Sequence, residues 1–100
     1  MSDILSQQRA TIDRLDLELV RLISLRAQAV AEIAHLKCAN HMSVNDAVRE
    51  SVVLDSVVRS NSGPLDAEWI VRIFNTILAE SRRLQYHMGA GPAGAKPCIE

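Results

Sequence analysis

The sequence has 100 residues, a formal net charge of −1 at pH 7, and a composition that is 48% hydrophobic but only 3% aromatic. This length suits one domain, and a charge near zero offers no general attraction to nucleic acid or to an anionic membrane surface. No apolar run approaches the ~20 residues of a membrane-spanning helix, and the N-terminus shows neither the basic nor the apolar region of a secretory signal. We therefore expect a cytoplasmic protein that binds neither nucleic acid nor membranes.

A long first helix is predicted over about residues 4–38, which contain neither Gly nor Pro. Apolar residues recur there at alternating steps of three and four, the spacing of one helix face. The members of this heptad stripe are Ile12, Leu15, Leu19, Leu22, Ala29, Ile33 and Leu36. The stripe has one gap, which falls at Arg26. A helix of this length extends about 50 Å.

The second helix is predicted after a break at residues 40–43 and runs over residues 44–60. Ser43 is the expected N-cap, with Asp46 three positions later as its capping-box partner. The apolar side of this helix consists of Val53, Leu54, Val57 and Val58.

A third helix is predicted after the turn at residues 60–64, which reads Ser-Asn-Ser-Gly-Pro. Asp66 is its expected N-cap, and the helix should end near Met88, just before Gly89. The apolar face of this helix consists of Ile70, Ile73, Phe74, Ile77 and Leu84.

The segment after the third helix is not expected to bind a cofactor. Residues 89–94 fit the pattern G-x-G-x-x-G, but a dinucleotide-binding loop follows a strand and opens a helix. We therefore interpret residues 89–100 as a flexible Gly/Pro/Ala tail and residues 1–88 as one helical domain. Cys38, Cys98 and the histidines lack the spacing of a metal site, so we expect neither a metal nor a cofactor.

The length of the first helix predicts a dimer. A globule of this size has a radius of gyration of only ~13 Å, so two shorter helices of the same chain cannot cover a helix of about 50 Å. A second copy should cover the rest of the heptad stripe, and a symmetric pair is the simplest closed arrangement. We expect an all-α fold with one long and two shorter helices per chain, intertwined in a homodimer that forms a six-helix bundle.

Three cations are predicted on the inner side of the first helix. Arg26 occupies the position at which the heptad stripe calls for Leu or Ile, and a cation in a helix interface is costly unless it meets an anion. Lys37, eleven residues later, projects from nearly the same face, and Arg9 borders the stripe seventeen residues before Arg26. Taken alone, Arg9 and Lys37 also fit surface side chains that extend from the edge of the stripe into solvent.

Polar residues on the other two helices complete a predicted anion pocket. Asp46 and Glu50 share one helix face with Arg49 beside them, although a solvated, salt-bridged face explains this pattern equally well. Ser81 and Gln85 continue an apolar line, and there a hydrogen-bonded contact between helices is the alternative. No Ser-His-Asp or Cys-His set with supporting motifs accompanies these residues. They predict a pocket that binds a small, multiply anionic molecule and is poorly equipped for covalent catalysis.

Four elements of the sequence, in this order and at these spacings, resemble the all-helical chorismate mutase family over about residues 5–88. The first, residues 9–26, reads RATIDRLDLELVRLISLR, and Lys37 falls where that family has its pocket lysine. Residues 44–50, VNDAVRE, and residues 80–85, ESRRLQ, resemble the second- and third-helix motifs of the family. The resemblance implies a cofactor-free mutase of aromatic amino acid biosynthesis, which rearranges chorismate to prephenate in a pocket shared by two chains.

The resemblance further implies that arginines hold the two carboxylates of the substrate. Arg26 and Arg49 would hold one carboxylate, and Ser81 would line the same side of the pocket. The partner's Arg9 would enter the pocket and hold the other carboxylate. Clamping both carboxylates selects the folded, reactive conformer of chorismate.

The resemblance implies two other contacts, to the ether oxygen and to the ring hydroxyl of chorismate. Lys37 and Gln85 would donate hydrogen bonds to the ether oxygen, where negative charge develops as the carbon–oxygen bond breaks. Glu50, with Asp46, would hold the hydroxyl. Lys37, Gln85 and Arg26 are therefore the predicted catalytic residues.

Other functions remain open on the sequence. A mutase for 4-amino-4-deoxychorismate would need nearly the same pocket, with discrimination at the group that faces Glu50 and Asp46. A non-catalytic helical dimerisation or regulatory module is a second alternative, but it gives no reason for Arg26, Lys37 and Gln85 to occur together. An isochorismate pyruvate lyase fits less well, because Gln85 and the second-helix motif resemble those of a mutase.

Overall fold

The computed structural model describes residues 2–89, which fold into three α-helices. Helix α1 spans Ser2–Ala39, α2 spans Ala47–Ser60 and α3 spans Ala67–His87. The described range contains no strand, so the predicted all-α class with one long and two shorter helices is confirmed. Of these three helices, none combines the length and hydropathy of a membrane span. The predicted tail beyond Gly89 lies outside the described residues.

Helix α1 has 38 residues and ends in a tight turn. The backbone N–H of Met42 donates to the carbonyl of Lys37 at 2.7 Å. His41 has a φ of 54°, the left-handed conformation in which helices commonly terminate. The chain then returns to α1, because Val44 packs in the same buried cluster as Cys38.

Helix α2 begins three residues later than predicted, and the prediction of Ser43 as its N-cap is wrong. Ser43 Oγ accepts a hydrogen bond from the backbone N–H of Asn45 at 3.1 Å and remains outside the helix. Asp46 is the N-cap instead, because its Oδ1 accepts from the backbone N–H of Arg49 at 3.0 Å. The physical reason is the burial of Val44, which is only 1% exposed and ties the preceding segment to the core.

Helix α3 is capped at the residue that the sequence predicts. Asp66 Oδ1 accepts a hydrogen bond from the backbone N–H of Trp69 at 3.1 Å, which confirms Asp66 as the N-cap. At the other end Met88 is the C-cap, and Gly89 has a φ of 97°, which glycine adopts without a steric penalty. The backbone N–H of Gly89 donates to the carbonyl of Tyr86 at 3.0 Å and closes the final turn.

Helix α3 organises the fold, because it packs against both α1 and α2. Leu78 is its buried apolar residue. On α1 the buried residues are Val30, Ala34 and Cys38, which follow one another at steps of four along one face. Val44, in the connection between α1 and α2, completes the core. The three helices therefore meet near the C-terminal end of α1.

The heptad stripe of α1 is not the face that the chain itself buries. Ile12 and Leu19 are 54% and 55% exposed, and every side chain from Ile12 to Leu25 is exposed. The chain measures 60 Å along its longest axis and has a radius of gyration of 17.4 Å, against ~13 Å for a compact globule of this length. The described chain thus leaves a long apolar surface uncovered, while the predicted dimer remains a prediction.

Candidate active site

Side chains from all three helices line a cavity of about 240 Å³. Core residues such as Val30, Val44 and Leu78 form its apolar wall. The polar residues that line it are Arg26, Lys37, Asp46, Arg49, Glu50, Ser81, Arg82 and Gln85. The fold therefore brings together every residue predicted to bind substrate except Arg9, although their individual roles remain predictions.

Arg26 reaches the cavity from the gap in the heptad stripe. Its Nη1 donates to Ser81 Oγ at 2.5 Å, and Ser81 Oγ in turn donates to the carbonyl of Ile77 at 2.8 Å. Arg26 and Ser81 also line a second, mainly apolar cavity of about 270 Å³, together with residues such as Ile23 and Leu84. Arg26 is therefore a half-buried cation in largely apolar surroundings, and its side-chain partner is a neutral hydroxyl.

Lys37 is held at the cavity by the backbone. Its Nζ donates to the carbonyl of Val44 at 3.1 Å. Because Val44 is anchored in the core, this hydrogen bond fixes the position of the ammonium group. An ammonium has three N–H donors, so two remain for a ligand in the cavity.

Gln85 is the one buried polar residue of the described chain, with 7% of its surface exposed. Its Nε2 donates to the carbonyl of Ser81 at 3.3 Å, one turn earlier in α3. The amide has a second N–H, which leaves one donor for a ligand. The Oε1 atom is buried and has no hydrogen-bond partner among residues 2–89. Since buried polar atoms are nearly always paired, such an atom on a cavity wall is a feature of ligand sites.

The two carboxylates of the cavity differ in their surroundings. Glu50 accepts from Nη1 of Arg82 at 2.5 Å and 2.6 Å through its two oxygens. Asp46 uses its Oδ1 to cap α2, as described above, so that its Oδ2 is the oxygen left for a ligand. Glu50 does form a salt bridge, but its partner Arg82 lies on α3 rather than on the same face of α2, the pair is partly buried, and Glu50 also lines the cavity.

Arg26, Lys37 and Arg49 are cations without a carboxylate partner within residues 2–89, whereas five other arginines of that range form ion pairs. Four cationic and two acidic side chains line the cavity, a formal excess of two positive charges. Removing cations from water without a counter-charge is unfavourable, so a small dianion would be stabilised there.

Arg9 is the predicted site residue that the single chain does not bring to the cavity. It is exposed and lies on α1 seventeen residues before Arg26. This separation corresponds to about 25 Å along the helix. Arg9 and Arg26 of one chain therefore cannot contact the same small ligand.

Arg82 lines the cavity and was not among the predicted site residues. The sequence does indicate a position near the cavity, because Arg82 precedes Gln85 by three residues and so shares its helix face. Arg83 is an equally good candidate from the sequence, but it is exposed and pairs with Glu80. Which of the two arginines faces the cavity depends on the orientation of α3.

The fold and the cavity define an all-helical protein that can bind a small dianion and act on it through charge and hydrogen bonds. Ser81 Oγ, the hydroxyl in the cavity, is bonded to Arg26 and to a carbonyl rather than to a general base. Within the described part of the chain, no group of three His, Cys, Asp or Glu side chains could hold a metal ion.

Residues 8–86 match the family model of chorismate mutase type II, and the chain belongs to this family. It is 35% identical over 101 residues to a bifunctional chorismate mutase/prephenate dehydratase of Stutzerimonas stutzeri, covering 93% of this chain and 28% of that protein. A protein of the same name from Pseudomonas aeruginosa is 33% identical over 100 residues, which are 92% of this chain and 27% of that protein. The chain thus spans little more than a quarter of the length of these relatives.

A solved structure gives the same result for the fold. The chorismate mutase (Form II) from Thermus thermophilus is 30% identical to this chain and superposes with a TM-score of 0.80. The match covers 82% of this chain and 93% of the Thermus chain.

Replacing Arg26 or Arg82 by leucine should affect the stability of the fold differently. Arg26→Leu removes an unpaired cation from apolar surroundings, so we expect an unchanged or higher melting temperature. Arg82→Leu leaves Glu50 without its partner and should lower the stability by about 1 kcal/mol, or roughly 5 °C. Thermal unfolding followed by circular dichroism measures both values. A clear drop for Arg26→Leu would mean that Arg26 is structural.

Proposed function

We propose that the chain catalyses the rearrangement of chorismate to prephenate. The observation that carries this proposal is the gathering of three unpaired cations and the buried amide of Gln85 around one cavity. Family membership supports the same activity, since the model that matches residues 8–86 is that of chorismate mutase type II. A non-catalytic helical module offers no reason for a cavity that gathers three cations without ion-pair partners.

The proposed reaction is a [3,3] rearrangement within one molecule. The carbon–oxygen bond of the enolpyruvyl ether breaks while a new carbon–carbon bond forms, and no proton or electron leaves the substrate. In the transition state negative charge grows on the ether oxygen, so donors aimed at that oxygen bind the transition state more tightly than the substrate. Lys37 and Gln85 are the proposed donors, and each has an N–H available for a ligand.

Arginines would bind the two carboxylates of chorismate and hold it in the folded conformer. Arg26 and Arg49 are the proposed partners of one carboxylate, with Ser81 beside them. The positive excess of the cavity supports this assignment, because chorismate is a dianion. Binding both carboxylates would hold the two reacting ends of the substrate close together, which lowers the entropic part of the activation barrier.

The ring hydroxyl of chorismate would lie against the acidic side of the cavity. Glu50 is the proposed acceptor, and the Oδ2 atom of Asp46 is a second one. Each oxygen of Glu50 already accepts one hydrogen bond from Arg82, and a carboxylate oxygen can accept two.

We further propose that the enzyme is an intertwined homodimer in which each site takes one arginine from the other chain. The exposed heptad stripe supports pairing of two α1 helices, because apolar surface of this length is unfavourable in water. In an antiparallel pair the partner's Arg9 would approach Arg26 and bind the second carboxylate. The six-helix bundle and the cytoplasmic location both remain predictions.

Lys37→Ala should reduce kcat about 10²–10³-fold while the protein stays folded, because one donor to the ether oxygen is lost. The assay follows the loss of chorismate absorbance under saturating substrate. Arg59→Ala is a matched control, since Arg59 is an exposed cation that pairs with Asp55 on the surface of α2. A Lys37→Ala enzyme within a few-fold of the unmodified chain would remove Lys37 from the mechanism.

Gln85→Glu should make the activity depend on pH. Only the protonated form of the introduced carboxyl can donate to the ether oxygen, so activity should be confined to low pH and should fall as the carboxyl ionises. The unmodified chain should give a flat profile from about pH 6 to 8, because arginine and lysine side chains stay charged there. Gln28→Glu, at an exposed position of α1, should keep the flat profile. A Gln85→Glu variant that is as active at pH 8 as at low pH would exclude Gln85 as the donor.

Mixing two inactive variants tests the shared site. Arg9→Ala and Arg26→Ala homodimers should each be nearly inactive. After joint unfolding and refolding, about half of the dimers are mixed, and in each of these one site carries both substitutions and the other carries neither. About a quarter of all sites should therefore regain full activity.

The result of mixing differs if Arg9 serves its own chain. Every site then keeps one substitution, and mixing restores nothing. Absence of recovery, with mixed dimers verified by native mass spectrometry, would overturn the shared-site proposal without affecting the roles of Lys37 and Gln85.

A further inference from the structure

Arg82 and Glu50 form an ion pair that joins α3 to α2 at the wall of the cavity. Nη1 of Arg82 lies 2.5 Å and 2.6 Å from the two oxygens of Glu50. The side chains are 33% and 27% exposed, so the pair is partly shielded from water. Both residues line the cavity, and a bound ligand would therefore meet the pair together rather than the carboxylate alone.

This pair differs from the other ion pairs of residues 2–89. Each of the others links side chains three or four residues apart on one helix, and their side chains are at least half exposed. Such surface pairs contribute little to stability and face solvent. The Arg82–Glu50 pair spans two helices and is partly buried at the cavity. Charge that is shielded from water acts more strongly on a neighbouring group.

We propose that Arg82 is a specificity-determining residue, which makes the site select a neutral hydroxyl over an ammonium group on the substrate ring. An unpaired Glu50 carboxylate would attract an ammonium more strongly than a hydroxyl. With Arg82 bound, the charge of Glu50 is balanced, and its remaining lone pairs can still accept from a hydroxyl. An ammonium placed there would also meet the positive charge of Arg82, which is repulsive.

The two substrates that the Arg82–Glu50 pair would distinguish are chorismate and 4-amino-4-deoxychorismate. They share both carboxylates and the ether oxygen, and they differ in the ring substituent that the proposed function places against Glu50. The inference rests on that proposed function. It predicts that the chain prefers chorismate and that the preference depends on the charge at position 82.

The test measures kcat/KM for both compounds with purified protein. Arg82→Gln should shift the ratio of the two values by about tenfold towards the amino compound, because a neighbouring charge changes such equilibria by on the order of one pK unit. Arg82→Lys keeps the charge and should preserve most of the original preference. Arg83→Gln is the matched control, since Arg83 is exposed and pairs with Glu80, and its ratio should not change.

Glu50→Gln gives an independent test with the opposite sign. It leaves the charge of Arg82 uncompensated, so the ratio should move further towards chorismate even though both activities fall. In the double variant Glu50→Gln/Arg82→Gln, the shift towards the amino compound should disappear. These two variants keep the inference testable if Arg82→Gln alone does not fold.

A merely structural Arg82 gives a different result. Its loss would lower turnover of both compounds equally and leave their ratio unchanged, which would overturn the inference. A preference of the unmodified chain for the amino compound would overturn it as well. If the folded chain converts neither compound, the proposed function itself fails, and that outcome is distinct from an unchanged ratio.

Discussion

The candidate site depends on three cations that form no ion pair with a carboxylate within residues 2–89. Arg26 contacts a hydroxyl, Lys37 contacts a carbonyl, and neither they nor Arg49 form an ion pair within residues 2–89. Arg26 is half-buried, and partial removal of a cation from water without a counter-charge is unfavourable, so a leucine would suit this position of the helix better. In the proposed function a dianionic ligand supplies the missing charge, and the unpaired cations account for the expected affinity of the cavity for such a ligand.

Much of the architecture is predictable because it is encoded by local patterns. The absence of Gly and Pro before residue 39 and the heptad stripe indicate one long helix, and α1 spans Ser2–Ala39. Asp66 is an N-cap that the residue type and the neighbouring turn make recognisable. The site residues Lys37 and Gln85 are predictable for another reason, since their spacing matches the motifs of a known family. The cavity brings both of them together with Arg26.

The remaining features depend on tertiary contacts that no local pattern contains. Ser43 and Asp46 are both good N-caps, and the burial of Val44 decides in favour of Asp46. The heptad stripe identifies an apolar face of α1, yet the residues of α1 that the chain buries are Val30, Ala34 and Cys38 on a neighbouring face. Arg82 and Arg83 are adjacent residues of the same type, so the sequence does not distinguish them. Only the orientation of α3 shows which of the two faces the cavity.

We propose that this cavity rearranges chorismate without adding or removing atoms. The most direct test incubates the purified chain with chorismate and quantifies chorismate, prephenate and pyruvate by proton NMR over time. We expect catalysed loss of chorismate with formation of one prephenate for each chorismate consumed, and no pyruvate. Release of pyruvate would indicate a lyase, and an unchanged chorismate signal with folded protein would contradict the proposed activity altogether.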